Sequence, residues 1–282
     1  VKCINKWICL SLLIAVSCVS GCGKTSAAIE QPYDVYATAA DFGLSSNGTA
    51  EAKSYFASDL CVSEDVAIGT DSTDSQVAEG AGTFNLETNT VVYAKNLYER
   101  LYPASTTKIL TAYIALKYCD DLDAMVTVSE NAVNQASDSS VCNLKAGDVI
   151  RLRDLLYGLM LRSGNDAAVA IAEYISGDVD SFAALMNQEA AAMGATRSHF
   201  VNPNGLPDEN HYTCVYDMYL IFSNAIKNDT FVSIIGTTSY DVTYTDASGE
   251  AVTHTWENTN QYLTGNATTP DGFQIVGGKT GT

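Results

Sequence analysis

Pro103-Ala104-Ser105-Thr106-Thr107-Lys108-Ile109-Leu110-Thr111-Ala112 runs from a small-residue turn into an apolar helical pattern. Ser105 and Lys108 stand three residues apart, so on a helix they share one face and the amine reaches the hydroxyl. A serine with its own base is a nucleophile. At the start of a helix, unpaired backbone N–H groups and the helix dipole also favour developing negative charge. One S-x-x-K proves little, because a chain of average composition and this length holds about one by chance. Two companions give it weight: Ser163-Gly164-Asn165, between two helical patterns, and Lys279-Thr280-Gly281, after a strand-like run.

The three stretches divide one reaction among them. Lys108 is a base only when neutral, which requires burial or a nearby cation, and Lys279 is the expected cation. Ser105 attacks a carbonyl, Lys108 takes its proton, and Ser163 relays a proton to the departing amine. Backbone N–H groups of Ser105 and Thr282 hold the oxyanion. Asn165 binds the substrate amide, while Lys279 and Thr280, with Gly281 and Thr282 beside them, receive a terminal carboxylate. An acyl-enzyme forms and water hydrolyses it.

Composition narrows the class. With 282 residues, 46% hydrophobic and 17% charged, the chain is an ordinary globular sequence with room for a core and a subdomain. A formal charge of −18 argues against a nucleic-acid partner. Residues 1–21 begin with Lys2 and Lys6, continue as an apolar run from Trp7 to Val19 and end in small residues, the pattern of a secretory signal. Val19-Ser20-Gly21-Cys22 resembles the lipobox of bacterial lipoproteins, which implies a lipid on Cys22 and an anchor at the cell membrane; plain signal cleavage is the alternative. Cys22-Gly23-Lys24-Thr25 imitates the end of a P-loop, but the motif's first glycine would fall on Cys18 and no strand precedes it.

Four cysteines, Cys61, Cys119, Cys142 and Cys214, lie in the exported part, as disulfides or as buried thiols. His199, His211 and His254 are too scattered for a metal set, so neither metal nor cofactor is expected, and His211 reads as structural.

Residues 22–54 lack periodicity and read as a flexible tether, with a chance Ser45-Ser46-Asn47 inside it. The globular part is expected over residues 55–282. Thr83–Leu86 and Thr90–Ala94 form a hairpin, Ser105–Tyr118 is a central buried helix, and Met125–Val128 is a short strand. Ser129 caps a helix reaching Ala136. Leu152–Leu161, Asp166–Ile175, Phe182–Met193 and Asp217–Lys227 are helices, with a turn at Asn202-Pro203-Asn204-Gly205. Ser239–Thr245 and Ala251–Trp256 form a second hairpin, and Phe273–Val276 is a strand. Strands at both ends with helices between them predict an α+β domain whose antiparallel sheet joins the chain termini around an inserted helical subdomain.

The motifs together resemble the low-molecular-mass penicillin-binding proteins of the S11 serine peptidase family. The matching stretches are Leu101–Lys108, Leu161–Ala168, Asn202–Leu206, His211-Tyr212-Thr213 with Asp217-Met218, and Gly278–Gly281. The resemblance implies the β-lactamase/penicillin-binding-protein transpeptidase fold and a D-alanyl-D-alanine carboxypeptidase. Such an enzyme removes the terminal D-alanine from peptidoglycan stem peptides outside the cell membrane and is acylated by β-lactams. Family members continue past K-T-G with further strands of the sheet, so the domain is expected to be incomplete at its C-terminus. Two alternatives use the same residues. A class A β-lactamase needs a glutamate that activates the deacylating water, and Glu173 and Glu189 fall in predicted helices. A penicillin sensor or cell-wall binding protein would not turn over.

Overall fold

The computed structural model describes residues 57–69 and 78–282. The expected signal, the lipidated Cys22, the tether and Ser45-Ser46-Asn47 lie outside the described residues. The chain divides into two units, Val1–Leu60 and Cys61–Thr282. Of the first, residues 57–60 are described, a turn closed by the Leu60 N–H on the Ala57 carbonyl.

Two antiparallel sheets are packed by helices, an α+β architecture. The first sheet is the hairpin β1 (Ala81–Asn85) and β2 (Thr90–Lys95), with an irregularity in register between Thr83 and Phe84. The second has the order β3 (Met125–Thr127), β4 (Val149–Arg151), β5 (Ser239–Thr245), β6 (Ala251–Glu257). Its middle is thin, since β4 and β5 share the single pair Val149↔Thr245. Side chains hold that seam. Tyr240 on β5 stacks on Tyr157 at 3.7 Å and donates through its hydroxyl to Asp154 at 2.6 Å.

The helix α1 (Lys108–Tyr118) is hydrophobic on nearly every side and is accordingly wrapped by neighbours on nearly every side. Ile109, Leu110, Ala112, Ile114 and Ala115 are buried, and the alanines let α3 (Leu152–Leu161), α4 (Asn165–Ser176) and α6 (Val215–Ala225) approach. Local chemistry sets the ends of the other helices. The Ser129 hydroxyl accepts from the Ala132 N–H at 2.9 Å, the expected cap, but α2 is one turn, Glu130–Val133, and stops before Ala136. Asp178 caps α5 (Val179–Ala192) by accepting from the Ser181 N–H, which starts this helix three residues before Phe182. Asn228 caps α7 (Asp229–Ile235), a helix absent from the sequence reading although Asn228 followed by Phe231, Ile234 and Ile235 carries its signature.

Two expectations fail. Among the described residues no sheet joins the chain termini, because the first hairpin shares no ladder with the second sheet and is extended only by the bridge between Ala94 and Ile68. The run Phe273–Val276 is also no strand: it has no ladder partner, and the Phe273 N–H donates to the Pro270 carbonyl in a turn. An apolar cavity of about 480 Å³, lined by Gly82, Phe84, Ile109, Met218, Phe222 and Gly278, lies beside β1 and the residues that follow this run. The segment is held by packing instead: a Cβ on Gly277 would stand 2.7 Å from the Ile235 carbonyl oxygen. The four described cysteines are free thiols. Burial pushes the Cys142 thiol well up and the Cys214 thiol to about 11, so both stay protonated and unreactive. No helix among the described residues is long and apolar enough to cross a membrane.

Candidate active site

Ser105 belongs to a 3₁₀ turn, Ala104–Thr107, that leads into α1, so the α-helix proper begins at Lys108. The tighter turn serves the pair better than an α-helix would, since residues three apart eclipse in a 3₁₀ helix. Lys108 Nζ lies 3.0 Å from Ser105 Oγ. It also donates to Asn165 Oδ1 at 2.8 Å and to the Asn204 carbonyl at 2.6 Å. These contacts use all three donors of an ammonium. Once the amine is neutral, Asn165 and Asn204 retain its two hydrogens and the lone pair faces Ser105.

Lys108 is fully buried, and its pKa reflects that. Desolvation first, and the Lys279 ammonium second, bring it down to about 7. The cation expected from the sequence is therefore in place. Lys279 is itself lowered to about 8 by burial, and its Nζ donates to Ser163 Oγ at 3.0 Å and to the Thr280 carbonyl at 2.6 Å. Ser105–Lys108 and Ser163–Lys279 are thus two hydroxyl–amine pairs in one site.

The backbone is strained where it presents these groups. Ser163 sits at φ 58° and Ala104 at φ 48°, left-handed values that cost a residue with a Cβ roughly 1–2 kcal/mol each. Close packing enforces both. Gly205, at φ 88°, lies so close beneath the 3₁₀ turn that a Cβ there would stand 1.8 Å from the Ala104 carbonyl oxygen. Gly164 has an ordinary φ of −61°, but a Cβ on it would meet Cys142 Sγ at 2.4 Å. These glycines are required by contact, and the first also by its φ.

Asp166, in the first turn of α4, is buried and accepts from the N–H groups of Cys142, Leu144 and Ala167 at 2.9–3.1 Å. It straps the 140–144 loop to α4 and acts on Lys108 only through its charge. His211 Nδ1 accepts from the Val201 N–H at 3.1 Å, so Nε2 carries the hydrogen and donates to Thr107 Oγ1 at 2.9 Å. Burial lowers its pKa to about 4, keeping it neutral. It props the 3₁₀ turn, consistent with the structural reading.

Ser105, Ser163, Asn165, Thr280, Gly281 and Thr282 line one cavity of about 790 Å³, with Lys108 and Lys279 behind its wall. Every predicted catalytic and substrate-binding position of the described chain is brought together there. Sequence reasoning missed Asn204, whose turn was evident but whose carbonyl target was not, and the 138–140 and 259–261 segments, which carry no motif. Neither Glu173 nor Glu189 lines the cavity. Glu173 accepts from Ser129 and Asn131, and Glu189 from Lys117 and Tyr118. Among the described residues no group of His, Cys, Asp and Glu is arranged to hold a metal ion.

Residues 69–282 match the profile of the S11 peptidases, described as D-alanyl-D-alanine carboxypeptidase. The chain is 37% identical over 196 residues to the D-alanyl-D-alanine carboxypeptidase of Streptomyces sp. strain K15, covering 66% of this chain and 67% of that protein. It is 35% identical over 164 residues to the D-alanyl-D-alanine carboxypeptidase DacF of Bacillus subtilis, covering 57% of this chain and 42% of the Bacillus protein, so the match spans less than half of that relative. The crystal structure of the Streptomyces K15 DD-transpeptidase superimposes with a TM-score of 0.65 at 34% identity, over 72% of this chain and 79% of that one. Motifs, fold and similarity agree, and the chain belongs to the D-alanyl-D-alanine carboxypeptidase family of S11 serine peptidases.

Proposed function

We propose that the chain is a serine-type D-alanyl-D-alanine carboxypeptidase that removes the terminal D-alanine from peptidoglycan stem peptides and is acylated at Ser105 by β-lactams. The observation that carries this reading is the buried Lys108 amine, 3.0 Å from Ser105 Oγ and lowered to about 7, a base available at neutral pH. In this mechanism Lys108 takes the Ser105 proton as Oγ attacks the carbonyl. Asn165 orients the acyl amide, and Lys279 with Thr280 binds the terminal carboxylate. The hydroxyl of Ser163, hydrogen-bonded to Lys279, passes a proton to the departing D-alanine nitrogen. Backbone N–H groups of Ser105 and Thr282 stabilise the oxyanion. Water then attacks the ester carbonyl, which frees the Ser105 hydroxyl and the shortened peptide.

The commitments of Glu173 and Glu189 elsewhere favour a carboxypeptidase over a class A-like β-lactamase. The N-terminal pattern supports export, and Val19-Ser20-Gly21-Cys22 supports a lipid anchor at the outer face of the membrane. Intact mass after incubation with benzylpenicillin tests the core of the proposal. The chain gains one penicilloyl group and the Ser105→Ala variant gains none; an adduct that survives in Ser105→Ala, or no adduct on folded protein, overturns it.

A further inference from the structure

The direction of the Lys108 amine depends on a carbonyl from another part of the chain. Lys108 Nζ donates at 2.6 Å to the carbonyl of Asn204, in the turn formed by residues 202–206. Internally that turn is stiff. The Gly205 N–H donates to Asn202 Oδ1 at 2.7 Å, the Asn202 side-chain amide to the Leu206 carbonyl at 3.0 Å, and the Leu206 N–H to Asn204 Oδ1 at 3.1 Å. The ring of Pro203 fixes a further dihedral. A stiff turn moves as one piece, so the place of the Asn204 carbonyl is set by what ties the turn to α1.

Thr111 makes such a tie. It is fully buried, and its hydroxyl donates to the Pro203 carbonyl at 2.7 Å. Thr111 stands three residues after Lys108, so the two side chains share a face of α1 and hold successive carbonyls of one turn. The two bonds differ in kind. Lys108 must lose its charge to act as a base, and its bond to Asn204 weakens when it does. The Thr111 bond joins neutral groups and stays the same. A threonine inside a helix commonly turns its hydroxyl back to a carbonyl of the preceding turn, whereas here the donor is spent on a segment 92 residues away. Thr111 does not line the substrate cavity.

Resting on the proposed function, we infer that Thr111 is a positioning residue for acylation: its hydroxyl holds the 202–206 turn against α1, so that the Asn204 carbonyl keeps the Lys108 amine directed at Ser105 while the amine changes charge. The groups whose charge bears on Lys108 are Lys279, Cys142 and Asp166, and none of them bonds to Thr111 or to the turn. His211, on the other side of the 3₁₀ turn, is neutral at the pH of the reaction. Without the Thr111 hydroxyl the turn draws back and the ammonium loses an acceptor. The neutral amine is then favoured, but it has no fixed direction. Acylation sets in at lower pH and reaches a lower maximum.

The test follows acylation of the 282-residue chain by benzylpenicillin, as intact mass against time across pH. Thr111→Val keeps the shape of the side chain and removes the donor, while Thr111→Ser keeps the donor and removes the methyl. In Thr111→Val the maximum of the pH–rate profile is expected to fall about tenfold and its ascending limb to move to lower pH. Thr111→Ser is expected to keep the wild-type profile, even where urea unfolding shows it to be the less stable of the two. Wild-type rate and limb in folded Thr111→Val, or a loss in Thr111→Ser as large as in Thr111→Val, overturns the inference, because the threonine then serves packing alone. Should Thr111→Val fail to fold, Thr111→Ser is compared with Thr111→Ala, which differ by the hydroxyl alone; a faster Thr111→Ser supports the inference and equal rates overturn it. Folded wild type that gains no penicilloyl group overturns the carboxypeptidase reading itself, and this inference falls with it.

Discussion

Lys108 and Lys279 share a site in which each amine sits near one serine hydroxyl, and their charges are coupled. In the proposed mechanism Lys108 must be neutral to accept the Ser105 proton, while Lys279 must be charged to attract a carboxylate and to hold the Lys108 pKa down. The rate of acylation by benzylpenicillin is therefore expected to rise with pH through about 7 and to fall through about 8, a narrow bell belonging to the pair as a whole. The sign of the coupling is testable with Lys279→Met. Removing the neighbouring charge lets Lys108 keep its proton to higher pH, so the ascending limb moves up and the descending limb disappears. An ascending limb at the same pH in Lys279→Met would show that burial alone lowers Lys108. The resting hydrogen bonds to Asn165 and Asn204 explain how a flexible lysine keeps one direction: two of its hydrogens have fixed acceptors, and the third site faces Ser105.

Among the elements, α4 organises the site although it carries only one of the polar groups that line it. Gly164 and Asn165 open the helix, and Asp166 gathers three backbone N–H groups of two segments with a buried carboxylate. Asp166→Ala would leave the Cys142 and Leu144 donors buried without an acceptor. The expected cost is at least about 2 kcal/mol, read as a lower midpoint in urea unfolding at unchanged slope. Asp166→Asn keeps one acceptor oxygen and should lose less. A midpoint unchanged in Asp166→Ala would mean that water reaches these donors and the strap is dispensable. The 3₁₀ turn is supported in the same way from outside itself, by Gly205 beneath it and by the neutral His211 against Thr107.

Over the whole molecule, the described unit from Cys61 onward is an α+β body, and the chain's formal charge of −18 does not suit nucleic acid. The proposed anchor adds a second level of organisation, since an enzyme held by a lipid at Cys22 would work at the membrane–wall boundary. When the chain is expressed in a bacterial host that modifies lipoproteins, it is expected to partition into the detergent-rich phase of Triton X-114, and Cys22→Ser is expected to move it to the aqueous phase. Aqueous partition of both forms would leave plain signal cleavage as the explanation of residues 1–21.

Much of this protein is legible without coordinates. Each S-x-x-K, S-x-N and K-T-G motif packs chemistry into three or four consecutive residues, so adjacency in sequence is adjacency in space, and the family follows from the letters alone, as do the proposed nucleophile and base. Helices such as Leu152–Leu161 and the hairpin Ser239–Glu257 are equally legible, because their periodicity and turns are local. What the tertiary structure decided is what depends on approach between distant segments. The left-handed Ser163, the carbonyl of Asn204 on Lys108, the second acceptor at Asn165 and the cavity-lining 138–140 segment each arise where segments tens of residues apart meet. The run Phe273–Val276 shows the converse: its pattern is that of a strand, but a strand exists only when a partner backbone forms a ladder with it, and among the described residues none does.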